Sequence, residues 1–446
     1  MKNFMTLKTF NALKEKALSN RAEPTSVRIE RLVKLQKWIK DNETQIEDAL
    51  LQDFKKPRFE TQVTEILLVQ SELKYFIQKL PRWMKERKVS TPIGLAGHIS
   101  RIRYDNKGVV LIISPWNYPF QLTVMPLIAA LGAGNTVIIK PSELTPQTSE
   151  LMKKMCQDCF SENEVILEIG EKEKTTELLN YPVDHVFFTG STPVGRIIAK
   201  ACAERLIPYT LELGGKSPVI IDQTVNVKEA VKKIFWGKFT NRGQACVAPD
   251  ILIIHQSIKE QFITEYQKYS DSFKDENPAA IINQHHTDRL EKMASVDLSR
   301  VHTCLVEAEN ASDKLKTEEI FGPIALMYSY ETLQDIEKIY NVSPNPLALY
   351  IFSEDKNFIE TILNRFPSGG VGINTLIVHL ANHNLPFGGI GASGQGRYHG
   401  YFGFLELSHQ RAILEKNLPN SSLDLVYPPY SAAKSTFIQI LKKIVT

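Results

Sequence analysis

Residues 108–119 read Gly-Val-Val-Leu-Ile-Ile-Ser-Pro-Trp-Asn-Tyr-Pro. The apolar run from Val109 to Ile113 has no polar alternation, as expected of a strand buried on both faces. Ser114 to Pro119 breaks it with two prolines and an asparagine, which makes a turn. Beyond the turn the same texture repeats. An apolar helix-like stretch at 118–131 leads to a strand at 136–139, a helix at 147–160 and a strand at 165–169. A short helix at 176–179, a strand at 185–188 and a helix at 193–205 follow. Short buried strands alternating with helices predict an α/β fold with a parallel sheet covered on both faces. Such sheets bind ligands in the turns at their strands' C-terminal ends.

A second α/β pattern follows Leu211, with strands at 219–221, 251–254, 325–328 and 349–352 and helices at 227–239 and 257–272. Residues 275–318 are polar and weakly patterned, and 368–403 is Gly-rich. Upstream, 8–54 and 61–80 read as helices, 82–90 as a basic connector and 98–104 as an extended arm whose Arg101 and Arg103 mark a solvated face.

The 446 residues are enough for two or three domains. Net charge is +3, from 53 basic and 50 acidic residues, which gives no reason to expect nucleic acid as a partner. Five cysteines, at 156, 159, 202, 246 and 304, are too few and too odd for a disulfide framework, so a reducing, cytoplasmic setting is expected. No secretory signal and no apolar run of membrane-spanning length is visible.

Several turns carry groups with chemical use. Asn117 offers an amide N–H, the kind of fixed donor that an oxyanion needs. Lys140 and Glu143, after a strand, can grip ribose hydroxyls or begin a capped helix, and the two roles are compatible. Phe188-Thr-Gly190-Ser-Thr-Pro-Val-Gly195 joins a strand to a helix start, where N–H groups can meet a pyrophosphate. Glu212 stands between two leucines, a setting that raises a carboxyl pKa toward the range of a general base. Cys246 lies in a small turn, Gly243-Gln-Ala-Cys-Val-Ala-Pro249, ahead of a buried strand, where a nucleophile is useful. Glu319 and Phe321 supply an acid and a flat ring to one loop. Cys156 and Cys159 form a C-x-x-C pair inside a helical pattern with no further ligands at metal spacing, so no metal is expected.

Together these pieces resemble the aldehyde dehydrogenase superfamily. The matched segments are Pro115-Trp-Asn117, Lys140-Pro-Ser-Glu143, Phe188-Thr-Gly-Ser191, Leu211-Glu-Leu-Gly-Gly-Lys216, Gly243-Gln-Ala-Cys246, Glu319-Ile-Phe-Gly-Pro323 and Pro386-Phe-Gly-Gly389. They stand in the family's order across 108–404. Tyr118 after Asn117, Ser368-Gly-Gly-Val371 and Ile377-Val-His379 are similar to the class 3 branch, which includes medium-chain, aromatic and fatty aldehyde enzymes.

The resemblance implies NAD(P)-dependent oxidation of an aldehyde to a carboxylic acid through a cysteine thiohemiacetal and thioester. It implies Cys246 as nucleophile, Glu212 as the base for water and Asn117 as oxyanion donor. It places Pro115, Trp116, Lys140, Glu143, Gly190, Ser191, Thr192, Pro193, Val194, Gly195, Glu319 and Phe321 on the cofactor, NAD with NADP possible. Since a free thiol titrates at about 8.5, a nearby dipole or donor is expected to favour the thiolate. Tyr118, Leu122, Trp236 and Ile377 are candidates for the wall of a substrate tunnel.

The implied architecture is an aldehyde dehydrogenase fold: a Rossmann-like cofactor domain (1–82 and 108–210), an α/β catalytic domain (211–391), and a small bridging and oligomerisation element (83–107 and 392–432) that makes a homodimer. A tail helix covers 433–446. Its Phe437, Ile438, Leu441, Ile444 and Val445, beside lysines, suit docking on a subunit more than lying on a membrane surface. The 255–318 stretch is shorter than is usual in class 3 enzymes, which puts the catalytic domain's outer strands in doubt and makes Glu319 the least secure assignment. A coenzyme-A-acylating enzyme, which needs no base like Glu212, and a non-enzymatic binding protein are the competing readings.

Overall fold

The computed structural model describes residues 5–273, 276–419 and 421–445. In chain order its strands are β1 (Arg87–Val89), β2 (His98–Asn106), β3 (Val109–Ile113), β4 (Thr136–Lys140), β5 (Val165–Leu167), β6 (His185–Thr189), β7 (Tyr209–Glu212) and β8 (Pro218–Ile221). They continue as β9 (Ile251–His255), β10 (Cys304–Glu307), β11 (Ile324–Tyr330), β12 (Ala348–Phe352), β13 (Gly370–Ile373), β14 (Gly394–Gln395) and β15 (Ser408–Lys416).

Three sheets result. The first has the order β14-β7-β6-β3-β4-β5 and is parallel except for β14. The second, β10-β11-β9-β8-β12-β13, is parallel throughout. The third is the antiparallel arm β1-β2-β15.

Strand β3 explains the first sheet. Val110 and Ile112 enter one core with the wholly buried helix Gln121–Ala133, while Val109, Leu111 and Ile113 enter another with Ile198 and Cys202. The period-2 alternation of a strand thus feeds cores on both faces. Each of these side chains stabilises the fold by about 1.5–3 kcal/mol through burial. The chain leaves β3 for β4 on one side and returns as β6 on the other. The sheet's topological switch point therefore lies between the C-terminal ends of β3 and β6.

The doubt over the outer strands of the second sheet does not hold. β10 pairs with β11 from Cys304 opposite Ile324 to Glu307 opposite Met327. It escaped the sequence pattern because all four of its residues are half-buried at a sheet edge. The same stretch forms the helix Gln284–Ala294, capped by the Asn283 side chain and buried through Leu290 and Met293. Strand β7, missing from the sequence reading, joins the first sheet and has Glu212 as its last residue. From residue 392, where the bridging element was expected, the chain first returns to that sheet. Gly394 pairs with Glu212 and helix Gly400–Glu406 packs on Gln121–Ala133 before β15 joins the arm.

Arg101 and Arg103 form ion pairs rather than a free solvated face, with Glu86 and Glu415 and with Asp105 respectively. Cys156 and Cys159 are both buried in the helix Pro146–Cys159. The tail is a helix over Ala432–Val445; the side chains of Leu441, Ile444 and Val445 lie outside the described residues. Among the described residues no helix is long and apolar enough to cross a membrane.

Candidate active site

The turns at the switch point bring the first predicted residues together. The Ser114 amide donates to Lys140 O at 3.1 Å, so the Pro115-Trp116-Asn117 turn is pinned to the end of β4. On the other side the Gly190 amide donates to Glu212 O at 3.0 Å, and Ser191 begins the helix Thr192–Ala203 with Pro193 in its first turn. Gly195 faces Leu213, where a Cβ would sit 2.6 Å from Cδ2, so its lack of a side chain lets the helix close on β7.

Cys246 arrives from the second sheet, in the turn ahead of β9. Asn241 and Arg242 both take left-handed conformations there, with φ of 50° and 54°. Asn117 Nδ2 donates to Gln244 O at 3.1 Å. Asn241 Nδ2 in turn donates to Asn117 O at 2.9 Å and to Gln244 O at 3.1 Å. Gln244 reaches across to Ala280 O at 3.0 Å and accepts from the Ile282 amide at 3.0 Å. A Cβ on Gly243 would lie 2.3 Å from Gly322 O, so the turn also packs against the loop carrying Phe321.

Two carboxyl groups flank the thiol. Glu212 is buried, and neither of its oxygens has a hydrogen-bond partner among the described residues. Burial holds its pKa well above the carboxylate range; Glu406 adds to that and Arg397 opposes it. Burial, with Asp250 adding, raises Glu319 to about 7 against the Gly215 amide and Lys216 and Lys238. One Glu319 oxygen also has no partner. For Cys246, burial first and then Glu319 and Glu212 push the pKa up to about 12. Its own amide and that of Val247 pull the other way. The expected donors are present, and burial and two acids act against them.

Two cavities meet at this point. One encloses about 760 Å³ and is lined by Pro115, Trp116, Asn117, Gly190, Ser191, Gly214, His286, Arg289, Glu319 and Phe321, with Leu213 among them. The other encloses about 940 Å³ and is lined mainly by apolar groups, including Val63, Leu68, Tyr118, Trp236, Val247, Ile377, Val378, Leu380 and Phe387. Leu122, Thr189, Glu212 and Cys246 line both. All four tunnel candidates therefore wall the apolar cavity. Glu319, the least secure assignment, lies in the polar one, and Phe321 meets Trp116 edge-on at 5.3 Å.

Lys140, Glu143, Thr192, Pro193, Val194 and Gly195 lie outside both linings. Lys140 is buried and paired with Glu143 at 2.7 Å at the end of β4. Thr192 Oγ1 donates to Ala392 O at 3.2 Å, and Val194 is exposed. Lys140 ends β4, and residues 192–195 open the helix that follows β6; these two strands lie on either side of β3. His286 and Arg289 were missed, because they stand in the weakly patterned stretch. The one available signal was Asn283, a helix-capping residue three positions before His286.

The polar cavity suits a dinucleotide: it opens at a switch point, beside a helix N-terminus, with an unpartnered carboxylate oxygen in its wall. A model of the aldehyde dehydrogenase family matches residues 8–413. The 4,4'-diaponeurosporen-aldehyde dehydrogenase of Staphylococcus aureus (strain NCTC 8325 / PS 47) is 41% identical over 91% of this chain and 92% of its own. Aldehyde dehydrogenase family 3 member A2 of Pongo abelii is 36% identical over 94% of this chain and 90% of its own. The solved substrate-bound state of Staphylococcus aureus AldH superposes with a TM-score of 0.93 at 39% identity, covering 98% of this chain and 100% of that one. Motif order, fold and relatives agree that the chain belongs to the aldehyde dehydrogenase family, on its class 3-like branch, and is an NAD(P)-dependent aldehyde dehydrogenase.

Proposed function

We propose that Cys246 is the nucleophile, Glu212 the base that activates water, and Asn117 the oxyanion donor in the oxidation of an apolar aldehyde. The observation that supports this best is the meeting of a polar and an apolar cavity at Cys246 and Glu212. The aldehyde enters through the apolar side, where Leu122, Trp236 and Ile377 hold its chain. Sγ bonds to the carbonyl carbon, and its proton passes by way of the Glu212 carboxylate to solvent, which leaves Glu212 ionised for the water step. One amide hydrogen of Asn117 is engaged by Gln244 O, which fixes the group's plane; the other meets the oxyanion, together with the Cys246 amide. NAD(P), when bound, supplies the acceptor for the hydride leaving the Cys246 adduct. Glu212 then takes a proton from water, the oxygen bonds to the thioester carbon, and the Sγ–C bond breaks to release the carboxylic acid.

On the cofactor side, Pro115, Trp116 and Phe321 would hold the nicotinamide half and Glu319 a ribose. Lys140 and Glu143 would hold ribose hydroxyls, and residues 190–195 would lie along the pyrophosphate. The Glu143 carboxylate opposes a 2′-phosphate, so NAD is the preferred cofactor. The exposed arm β1-β2-β15 joins two copies in a homodimer of a cytoplasmic enzyme.

Reduction of NAD by hexanal and benzaldehyde tests the chemistry on wild type and Glu212→Gln. Wild type is expected to turn over steadily, and the variant to give a burst of NADH followed by a rate roughly 10²–10⁴-fold lower. Glu212 accepts a proton only when ionised, and burial raises its pKa, so wild-type turnover rises with pH above the usual carboxylate range. Unchanged steady turnover in the variant would remove Glu212 from the mechanism.

A further inference from the structure

We infer that Glu60 is a positioning residue for the acylation step: its carboxylate holds the turn that carries Cys246 and, through Asn241, orients the Asn117 amide. The inference rests on the reading of Cys246 as nucleophile and Asn117 as oxyanion donor. Asn241 stands at the centre of the arrangement. Its side-chain amide bridges Asn117 O and Gln244 O, at 2.9 and 3.1 Å. Its carbonyl receives the Gln244 backbone amide and the Gln244 side chain, both at 3.0 Å. All of these partners lie in the two loops that must be aligned.

The hold from outside comes from Glu60 Oε1, which accepts the Asn241 backbone N–H at 2.8 Å. Asn241 needs such a hold, because it and Arg242 are consecutive left-handed residues with side chains, a conformation that persists only when its surroundings enforce it. Glu60 is well placed to enforce it. It sits on the helical turn Arg58–Thr61, which runs into the π-helical turn Gln62–Ile66. Five residues on, the fully buried Glu65 accepts the Gln121 amide at 2.8 Å and pairs with Lys56, also at 2.8 Å. The ammonium of Lys56 lies 3.9 Å from the centre of the Tyr118 ring. One rigid segment, 56–65, thus grips both loops: Glu65 and Lys56 hold the Asn117 side, and Glu60 holds the Cys246 side. No motif of the sequence points to Glu60.

The test is the rate of the first turnover, read by stopped flow as NADH formed with hexanal in wild type, Glu60→Ala and Glu60→Gln, with NADH affinity read from quenching of tryptophan fluorescence and the melting temperature taken alongside. The Ala variant should lose roughly 10–100-fold in first-turnover rate, since misplacing a reacting group by about an ångström costs that much. NADH affinity should stay within about twofold, because Glu60 lines neither cavity. Glu60→Gln should recover most of the rate, since its amide oxygen can still accept the Asn241 N–H. A wild-type first-turnover rate in Glu60→Ala overturns the inference. So does an equal loss in Ala and Gln, or a fall in NADH affinity that matches the fall in rate. If Glu60→Ala does not fold, Glu60→Asp carries the test, as it withdraws the carboxylate by one methylene, and a wild-type first-turnover rate there overturns the inference equally. Cys246→Ala separates the underlying reading: a first turnover in that variant would sink the nucleophile assignment whatever Glu60 does.

Discussion

The polar and apolar cavities on either side of Cys246 share four lining residues and are built in different ways. The polar cavity is assembled from short motifs at strand ends, such as Pro115 to Asn117 after β3 and Gly190 and Ser191 after β6. Each must put a particular atom at a particular place: an amide hydrogen, a carboxylate oxygen, a backbone without a Cβ. The apolar cavity draws Val63 and Leu68 from one helical segment, Trp236 from another, and Ile377 and Val378 from a loop. Those residues need only supply apolar volume. Where atoms must be placed, few residue types serve; where volume must be filled, many do.

The difference can be broken or sharpened by substitution. Asn117→Ala, on the polar side, should lower kcat by roughly 10²–10³-fold, the cost of removing one oxyanion donor, while NADH still quenches the protein's fluorescence. Retention of kcat would show that the Cys246 amide suffices. On the apolar side, kcat/KM along straight-chain aldehydes from butanal to decanal should rise about fourfold per methylene until the cavity is filled, from about 0.8 kcal/mol for each buried methylene. A flat series would mean that the chain lies outside this cavity. The smallest effect belongs to Glu143→Gln. Removing its charge beside Lys140 should shift the NAD/NADP ratio of kcat/KM by a few-fold, roughly 2–10, toward NADP. No shift would separate Glu143 from the 2′ position.

The groups proposed as catalytic were legible in the sequence because they belong to motifs. Cys246, Glu212 and Asn117 come within one site from two turns and the end of strand β7, and Glu319 joins them despite the shortened stretch before it. His286 and Arg289 were not legible, since their helix is polar on its outer face and buries chiefly Leu290 and Met293. Glu60 was not legible either. Its partner is a backbone N–H, which every residue but proline carries, so no side-chain pattern records the contact. Strand β10 was hidden because an edge strand with half-buried residues lacks both continuous burial and clean alternation.

The sequence by itself determined the alternation of strands and helices and which residue types stand at the strand ends. These are local facts: an apolar run of five residues makes a strand, and a Gly or Pro at its end makes a turn. Only the tertiary structure decided that the thiol's pKa is pushed up, that Asn117 is oriented by Gln244 O, and that the apolar wall is gathered from four distant segments. Burial, hydrogen-bond partners and neighbouring charge set those properties, and each depends on what the folded chain brings within a few ångströms.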